Sequence, residues 1–459
     1  MVGRKHFQIF KSSNFQIIDL HPLSLFSERF QPFVLMLIFY KLFTILYSFG
    51  VRLISPWNPK AKKWLAGRKN IFDNLKLAFA NNTKPVVWMH CASLGEFEQG
   101  RPVLETIRAQ YPNVAILLTF FSPSGYEVRK DYSGADWIFY LPLDSRTNAE
   151  KLLSIVKPQL VLWVKYEYWY YYLTAIKKRN IPLLLISGIY RKSQPFFKWY
   201  GGMHRNMLAC FTHLFVQNSA SKDLLEKINV TNNVTVGGDT RFDRVIEIAE
   251  GFKPIDVVAH FCYNHKVIVA GSTWDEDEKE MDHYANTHPE IRFVIAPHEI
   301  DEDHLQSIEK LFKNTIRFSE LKKSIDAGII ADSQIANNVL IIDNIGMLSK
   351  LYHYATVTFI GGGFGEDGVH NVLEAAVYGK PVVYGPVYEK YIEAVELEDC
   401  GGGISVGSAL ELEATFNELL NDAEAYERSA FAAKNYVYTH KGATNKVMDH
   451  LQEKRLLTN

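Results

Sequence analysis

The stretch HKVIVAGSTWDEDE, residues 265–278, decides the fold, because a second series of buried strands begins there. It is a near-continuous apolar run followed by polar residues, which is typical of a parallel strand covered on both faces and then of a helix. The same alternation fills residues 85–218 and resumes from 265 to 406. Two such series predict an α/β protein with two Rossmann-like domains that face each other across a cleft.

Each series contains short apolar runs that predict strands, separated by stretches long enough for crossover helices such as 97–110 and 146–156. The predicted strands of the first series are 85–90, 114–121, 137–142, 159–164, 181–187 and 213–218. Those of the second series are 265–272, 292–297, 339–343, 357–362, 381–385 and 402–406. Weak periodicity and Pro254 place the domain boundary within 245–262, and a last helix is predicted over 423–455.

The chain therefore divides into four predicted regions. Residues 1–32 form an extension without a strong pattern, and 33–75 form a membrane-anchoring helix with a basic segment. Residues 76–248 form the first domain. Residues 249–459 form the second domain and end in a helix.

The apolar segment at 33–54 has the length of a membrane helix, although Lys41 interrupts it and Arg52 lies near its end. It starts too late, and lacks the small-residue cleavage site, for a secretory signal peptide. A basic cluster follows, which anionic headgroups attract on the cytoplasmic side of a membrane. Its members are Lys60, Lys62, Lys63, Arg68 and Lys69. The helix either spans the membrane, lies in its interface or is a core helix.

Composition excludes some functions. The 50 basic and 51 acidic residues nearly balance, so we expect no nucleic-acid partner on bulk electrostatics. The 4 cysteines are scattered without zinc-site spacing, and we expect reduced, buried thiols and no metal.

The glycine-rich stretch GGGFGEDGVHNVLEAA, residues 361–376, contains G-x-G-x-x-G at Gly363, Gly365 and Gly368. It does not fit a dinucleotide site, because the predicted helix opens at His370, after the glycines, and no strand-ending carboxylate follows at the required distance. Glycines allow a ligand to approach the backbone, and a helix N-terminus suits a phosphate.

Asn371 and Glu374 share one side of the predicted helix, where an amide and a carboxylate can hold a ribose diol. The alternative is a tight glycine turn with a capping asparagine. Ser272 with Asp275, or Thr273 with Glu276, fits a capping box at the preceding helix.

In the first domain, WMHCASLGE places Glu96 at the start of a helix directly after a strand. A carboxylate there stays ionised and can accept a proton. The alternative is a carboxylate that only complements the helix dipole. Lys165 and Glu167 follow another strand.

With these motifs in place, the chain resembles the 3-deoxy-D-manno-octulosonic acid (Kdo) transferases from about residue 36 to its end. The motifs that carry the resemblance are ASLGE (92–96), FFSPSGYE (120–127), LPLD (141–144), YEYW (166–169), GGDTRFD (237–243), AGSTWDEDE (270–278), GGFGEDGVHNVLEAA (362–376) and GP (385–386).

The resemblance implies a GT-B glycosyltransferase of lipopolysaccharide biosynthesis at the cytoplasmic side of the inner membrane. It implies that Kdo passes from CMP-Kdo to the 6′-hydroxyl of a lipid A precursor (lipid IVA), by an inverting, metal-independent mechanism without a cofactor. Partners would be CMP-Kdo, the lipid A precursor and an anionic membrane surface. The alternatives are a GT-B enzyme that uses another nucleotide sugar, such as a UDP-sugar, and an inactive membrane-anchored binding module.

The resemblance also implies roles for particular residues. Glu96 is the proton acceptor, and Glu167 is a second acidic contributor. The residues at CMP-contacting positions are Pro297, His298, Ile345, Gly346, Met347, Asn371, Val372, Leu373 and Glu374. Three departures stand out: His298 replaces an arginine, Lys165 replaces a carboxylate, and LAGRKN (65–70) replaces the usual Gly-Glu-Arg motif.

Overall fold

The amino-terminal segment is helical in the computed structural model, which describes residues 23–165, 167–328 and 335–458, with side chains from residue 35 onward. Its helices are α1 (Leu23–Ile54), α2 (Pro59–Ala66) and α3 (Ile71–Phe79). Residues 1–22 of the predicted extension lie outside the described residues. The remainder of that extension belongs to α1, which begins well before the predicted residue 33.

The first domain is a 7-stranded parallel sheet covered by helices on both faces. Its strands are β1 (Val86–Cys91), β2 (Ala115–Phe120), β3 (Trp137–Tyr140), β4 (Leu160–Val164), β5 (Leu183–Gly188), β6 (His213–Val216) and β7 (Val234–Val236). Its helices are α4 (Leu94–Gln110), α5 (Pro123–Arg129), α6 (Arg146–Val156), α7 (Tyr170–Lys178), α8 (Gly202–Leu208), α9 (Ser219–Glu226) and α10 (Thr240–Glu250). The strand order is β3-β2-β1-β4-β5-β6-β7.

The second domain repeats this plan. Its strands are β8 (Val267–Thr273), β9 (Arg292–Pro297), β10 (Thr315–Arg317), β11 (Val339–Ile341), β12 (Val357–Ile360), β13 (Val382–Tyr384) and β14 (Gly403–Ser405). Its helices are α11 (Asp256–Cys262), α12 (Asp275–Thr287), α13 (Glu302–Leu311), α14 (Phe318–Asp326), α15 (Leu348–Leu351), α16 (Leu373–Ala376), α17 (Ile392–Asp399), α18 (Ala409–Asn421), α19 (Ala423–Thr439) and α20 (Ala443–Glu453). The strand order is β10-β11-β9-β8-β12-β13-β14.

The predicted strands are confirmed in both sheets, and the sequence missed only β7 and β10 among the described strands, each 3 residues long. The helix predicted over 423–455 is instead two helices, because the chain breaks at Gly442, where φ is 104°. The segment 245–262, where weak periodicity placed the domain boundary, contains the end of α10 and all of α11.

Both sheets reverse their strand order at the first strand of the domain, and this reversal positions the site. Strand β1 pairs with β2 on one side and β4 on the other, and β8 pairs with β9 and β12. In parallel sheets, ligands bind outside the carboxyl ends of the strands at such a reversal.

The domains are joined by two segments, α10 and α20. The apolar face of α20, with Val447, Met448 and Leu451, packs into the core of the first domain, although this helix follows the second domain in sequence. Asp243 on α10 accepts hydrogen bonds from the backbone N–H groups of Gly442 (2.5 Å) and Thr444 (2.6 Å), at the start of α20. The two crossing segments are therefore tied to each other.

Residues Leu35–Ile54 of α1 are long and apolar enough to cross a membrane, by length and composition alone. One side of this helix nevertheless packs on the first domain. Thr44 and Val51 are buried, the Tyr47 ring contacts those of Trp64 and Phe121, and the Tyr40 hydroxyl donates to Asp144. The opposite side carries large exposed apolar residues: Ile38, Phe39, Leu42, Phe43, Ile45, Leu46, Phe49 and Leu53.

Arg68 has a different role from the other members of the predicted basic cluster. Its guanidinium donates to the backbone carbonyls of Trp64 (3.2 Å), Phe121 (2.8 Å) and Leu141 (2.9 Å), and lies over the Trp64 ring. Burial lowers the pKa of Arg68 to about 9, so the side chain remains charged at neutral pH. Arg68 ties the amino-terminal helices to the loops after β2 and β3, and the expectation that it faces lipid phosphates is wrong.

Candidate active site

Glu96 lies at the carboxyl end of β1, in the first turn of α4. Ser93 is the N-cap residue, and Oε2 of Glu96 accepts hydrogen bonds from the backbone N–H groups of Ala92 and Ser93 (3.3 Å). The side chain is buried, with 7% of its surface exposed. The structure is compatible with both interpretations of Glu96. The carboxylate caps its own helix, and it lies where the strand order reverses and a ligand is expected.

Glu167 follows β4, the strand next to β1 in the first sheet. Its Oε2 accepts a hydrogen bond from Nε1 of Trp169 (2.8 Å) and lies 3.6 Å from Nε2 of the buried His90. The other ring nitrogen of His90 contacts the Thr119 hydroxyl at 2.9 Å. The strand order thus brings His90 at the end of β1 together with Glu167 after β4, an interaction that the sequence analysis did not predict.

A charged network at the start of α10 spans the two domains. Asp239 is buried and accepts hydrogen bonds from Gln99 (3.2 Å) and Gln217 (2.9 Å) in the first domain and from Arg241 (2.8 Å). Arg241 also donates to Glu393 (2.7 Å) on α17 of the second domain. Burial favours the neutral form of Asp239, but the Arg241 guanidinium outweighs it and holds the Asp239 pKa below its usual value.

Lys165 belongs to the same region, with a left-handed backbone (φ 59°) after β4. Burial, followed by the positive charge of Arg241, lowers the pKa of Lys165, against the opposing effects of Asp239, Glu393 and Glu96. The lysine that replaces the carboxylate expected from the family therefore interacts electrostatically with Glu96. The sequence showed Asp239 and Arg241 only as part of the motif GGDTRFD. The spacing of charged residues did not predict that Arg241 links the two domains through Glu393.

The glycine stretch of the second domain binds a carboxylate of the protein itself. Asp277, in the first turn of α12, accepts hydrogen bonds from the backbone N–H groups of Gly362 (2.7 Å) and Trp274 (2.9 Å). The predicted capping boxes are wrong, because the N-cap residue of α12 is Trp274 and its partner is Asp277. A Cβ at Gly363 would lie 2.5 Å from the backbone nitrogen of Gly385, so close backbone packing also requires glycine here.

The helix that follows is shorter than predicted. It covers only Leu373–Ala376, and the His370 N–H donates to the Gly361 carbonyl (3.1 Å). The Asn371 side chain accepts from the Leu373 N–H (3.3 Å), so this N-terminus is capped by the protein itself. The expectation that it holds a phosphate loses its support.

The predicted amide–carboxylate pair is formed, since Nδ2 of Asn371 donates to Oε1 of Glu374 at 2.9 Å. Burial raises the pKa of Glu374 to about 6, and the negative charge of Glu98 on α4 adds to this effect. Because Glu98 and Glu96 share the first turns of α4, the carboxylate of the second domain lies within electrostatic reach of the Glu96 helix.

Three aromatic rings stack beside this pair. His298, directly after Pro297 at the end of β9, stacks on His370 (centroids 4.5 Å apart) and on Trp274 (4.7 Å). Nε1 of Trp274 donates to Nε2 of His370 at 3.1 Å. Burial and the adjacent His298 lower the pKa of His370 to about 4, so this ring is neutral at pH 7. The stack occupies the position at which the resemblance to the Kdo transferases implies an arginine.

The remaining predicted residues lie on a neighbouring loop or in the core. Gly346 follows β11 with φ 97°, Ile345 is highly exposed and Met347 packs at the edge of the core. Val372 and Leu373 are fully buried, so their side chains do not reach a ligand and only their backbone is available.

Asp275, Glu278 and His304 each offer one ligand atom, and these atoms lie within 4.8 Å of one another. Nε2 of His304 already contacts both carboxylates at 3.1 Å, and Glu278 also accepts from the Thr273 hydroxyl (2.7 Å). This pattern is that of an ion-paired cluster. The predicted absence of a metal stays a prediction.

Several known proteins are similar to this chain in sequence. The family described as 3-deoxy-D-manno-octulosonic-acid transferase (kdotransferase) matches residues 69–244. The chain is 27% identical over 346 residues to the 3-deoxy-D-manno-octulosonic acid transferase of Aquifex aeolicus, covering 74% of this chain and 87% of the relative. The corresponding transferase of Haemophilus influenzae is 23% identical over 419 residues, covering 88% and 94%.

The chain is similar in sequence to the Kdo transferases, which are glycosyltransferases. A bifunctional glycosyltransferase/methyltransferase of Fusobacterium nucleatum is also similar, with 25% identity over 391 residues. That match covers 80% of this chain but only 58% of the relative, so the Fusobacterium protein is much longer than the shared part.

Solved structures with the same fold are similar to this chain. A UDP-GlcNAc 2-epimerase of Neisseria meningitidis matches 80% of the chain with a TM-score of 0.58 and 18% identity, over 100% of its own length. Acinetobacter baumannii MurG matches 81% of the chain with a TM-score of 0.51 and 12% identity, over 99% of its length. The predicted GT-B architecture is confirmed.

Replacing Asp277 with alanine should destabilise the second domain, because the buried N–H groups of Gly362 and Trp274 lose their acceptor. At about 1–3 kcal/mol for each unpaired group, the melting temperature should fall by roughly 5 °C or more. Thermal unfolding followed by circular dichroism measures this shift. The control is Glu276→Ala, an exposed carboxylate in the same turn. Equal shifts in both variants would show that Asp277 does not hold the glycine turn.

Proposed function

We propose that the chain transfers Kdo from CMP-Kdo to the 6′-hydroxyl of a lipid A precursor (lipid IVA) and releases CMP, in lipopolysaccharide biosynthesis. The observation that carries this proposal is that Glu96 and the Asn371–Glu374 pair each follow a strand at the point where the strand order of its sheet reverses. In the proposal, a donor held at Glu374 lies next to α4, the helix that carries Glu96. Similarity to the Kdo transferases supports the choice of sugar.

In this proposal the acceptor hydroxyl loses its proton to Glu96 while its oxygen attacks the anomeric carbon of Kdo. The new carbon–oxygen bond forms as the bond to the CMP phosphate breaks, and CMP leaves with that electron pair. Attack from the face opposite the leaving group inverts the anomeric centre. Lys165, which interacts with Glu96, supplies positive charge near the reacting groups.

The donor nucleotide is assigned to the second domain. Asn371 and Glu374 supply the amide and carboxylate for the ribose hydroxyls. Pro297, His298 and the Ile345–Met347 loop flank them at the carboxyl ends of β9 and β11. Glu167, hydrogen-bonded to Trp169, is assigned to positioning on the acceptor side. No metal or cofactor is assigned a step.

The proposed location is the cytoplasmic face of the inner membrane, with α1 lying in the interface of one leaflet. A helix that packs along a folded domain from Tyr40 to Val51 cannot cross a bilayer over the same residues, because the domain would enter the hydrocarbon. Its exposed apolar side suits shallow insertion, and the exposed Lys60, Lys62 and Lys63 suit anionic headgroups.

The Glu96→Gln variant tests the role of Glu96 as the base. The glutamine oxygen can still accept hydrogen bonds from Ala92 and Ser93, so the helix cap survives while the proton acceptor is lost. We expect the rate of CMP release from CMP-Kdo and lipid IVA to fall by about 10²- to 10⁴-fold, with little change in melting temperature. Wild-type turnover should persist in EDTA.

The companion variant is Glu167→Gln, which should lower the rate less than Glu96→Gln does. Full activity in Glu96→Gln would disprove the assignment of the base. No CMP release by the wild-type protein, with release of UDP from a UDP-sugar instead, would disprove the donor.

The raised pKa of Glu374 predicts a pH dependence of nucleotide binding. Only the ionised carboxylate can accept hydrogen bonds from both ribose hydroxyls, so CMP affinity should weaken as pH falls through about 6. Calorimetric titration with CMP between pH 5 and 8, at intervals of about one pH unit, measures this dependence. Glu374→Gln is the control, because titration of the CMP phosphate is common to both proteins. A constant affinity ratio of the two proteins across this range would contradict the role of Glu374.

A further inference from the structure

Two adjoining cavities lie between α1 and the first domain, and none of the described residues of the candidate active site lines either of them. Their volumes are about 1170 Å³ and 610 Å³. Ser48, Arg52, Leu143 and Asn148 line both of them, so they form one continuous groove. We call it the anchor groove; its walls are α1, the end of α2, the start of α3, and α6 with the loop that precedes it.

The anchor groove is basic. The exposed basic side chains along it are Lys41, Arg52, Lys69, Lys76, Arg146 and Lys151. Within the described residues, Arg52, Lys69 and Lys151 form no ion pair with a carboxylate. A groove with several such cations attracts a multiply charged anion more strongly than a single surface lysine does.

The acidic groups of the groove are already engaged. Glu150 pairs with Arg179 at 2.6 Å, and Asp73 lies 3.9 Å from Lys76. Asp144 accepts hydrogen bonds from the Tyr40 hydroxyl and from two backbone N–H groups of α7. These carboxylates therefore do not neutralise Arg52, Lys69 or Lys151.

The rim of the groove is apolar, which distinguishes an amphiphile from a free anion. Leu37 and Ile45 of α1 line the smaller cavity, and Ile38 and Leu42 are exposed beside them. On α1 the polar positions 41, 44, 48 and 52 line the groove together with Leu37 and Ile45, while Ile38 and Leu42 are exposed to solvent. A ligand with a charged head and an apolar tail matches both surfaces.

We propose that the anchor groove binds the phosphate-bearing headgroup of an anionic phospholipid, whose acyl chains lie along the exposed apolar side of α1. The phosphate sits among Arg52, Lys69 and Lys151, and the lipid is not a substrate. This inference rests on the membrane attachment proposed above but on no step of sugar transfer.

The test compares two double variants that remove the same charge. Lys69→Gln/Lys151→Gln changes the groove, and Lys62→Gln/Lys63→Gln changes exposed lysines of α2 that line neither cavity. The full-length protein is floated with vesicles of phosphatidylcholine alone or with one part in five phosphatidylglycerol. We expect the groove variant to lose the preference for phosphatidylglycerol about 10-fold or more, and the α2 variant to keep most of it.

Equal losses in the two variants would overturn the proposal, because diffuse attraction to the surface would explain both. Displacement of bound protein by millimolar glycerol 3-phosphate would also overturn it, because the phosphate alone would then suffice. A higher KM for lipid IVA in phosphatidylcholine micelles with an unchanged vesicle preference would assign the groove to the acceptor instead.

Two further measurements keep the outcome decisive. Should the double variant fail to fold, as judged by its melting temperature, Arg52→Gln replaces it, because this exposed residue lines both cavities. Native mass spectrometry of the protein with phosphatidylglycerol should show one bound lipid in the wild type and none in the groove variant. CMP release is measured separately in detergent. A failure of the proposed sugar transfer therefore does not change the interpretation of the vesicle result, and a failure of the vesicle test does not change the interpretation of CMP release.

Discussion

The arrangement of the site depends on the salt-bridged network around Arg241. This guanidinium lies between Asp239, which is held by the first domain, and Glu393, which belongs to the second. Removing one partner would leave a carboxylate buried without its counter-charge, which is far more costly than losing an exposed ion pair. The network therefore links the two domains beside the candidate site.

The proposed chemistry depends on this link between the two domains. At the reversal of strand order in the first sheet, Glu96 and Glu167 follow neighbouring strands. At the reversal in the second sheet, both Glu374 and the glycine turn bound by Asp277 follow β12. Neither half alone contains both the proposed base and the proposed nucleotide site. With the domains joined at α10 and α20, the α4 helix comes close enough for Glu98 to affect Glu374. The amino-terminal helix contacts the same region through Tyr47, Phe121 and Trp169, so the proposed membrane attachment and the proposed acceptor side share one aromatic cluster.

The sequence predicted most of the fold, because buried parallel strands such as 292–297 are continuous apolar runs that end at polar residues. It could not predict β7 and β10, which are too short to show a pattern, or the return of α20 to the first domain, which depends on tertiary packing. Glu96 and the Asn371–Glu374 pair could be named from their positions after strands. The roles of Asp277, Arg241 and Arg68 could not, since their partners lie far away in the chain: Gly362, Glu393 and Leu141.

The proposal requires a donor held at Asn371 and Glu374 to lie beside the Glu96 segment of the first domain. Hydrogen–deuterium exchange of the Glu96→Gln protein, with and without CMP-Kdo, tests this requirement, because this variant should bind the donor without turning it over. Slower exchange is expected in two segments together, 92–98 of the first domain and 361–376 of the second. Protection confined to the second domain, with 92–98 unchanged, would contradict it.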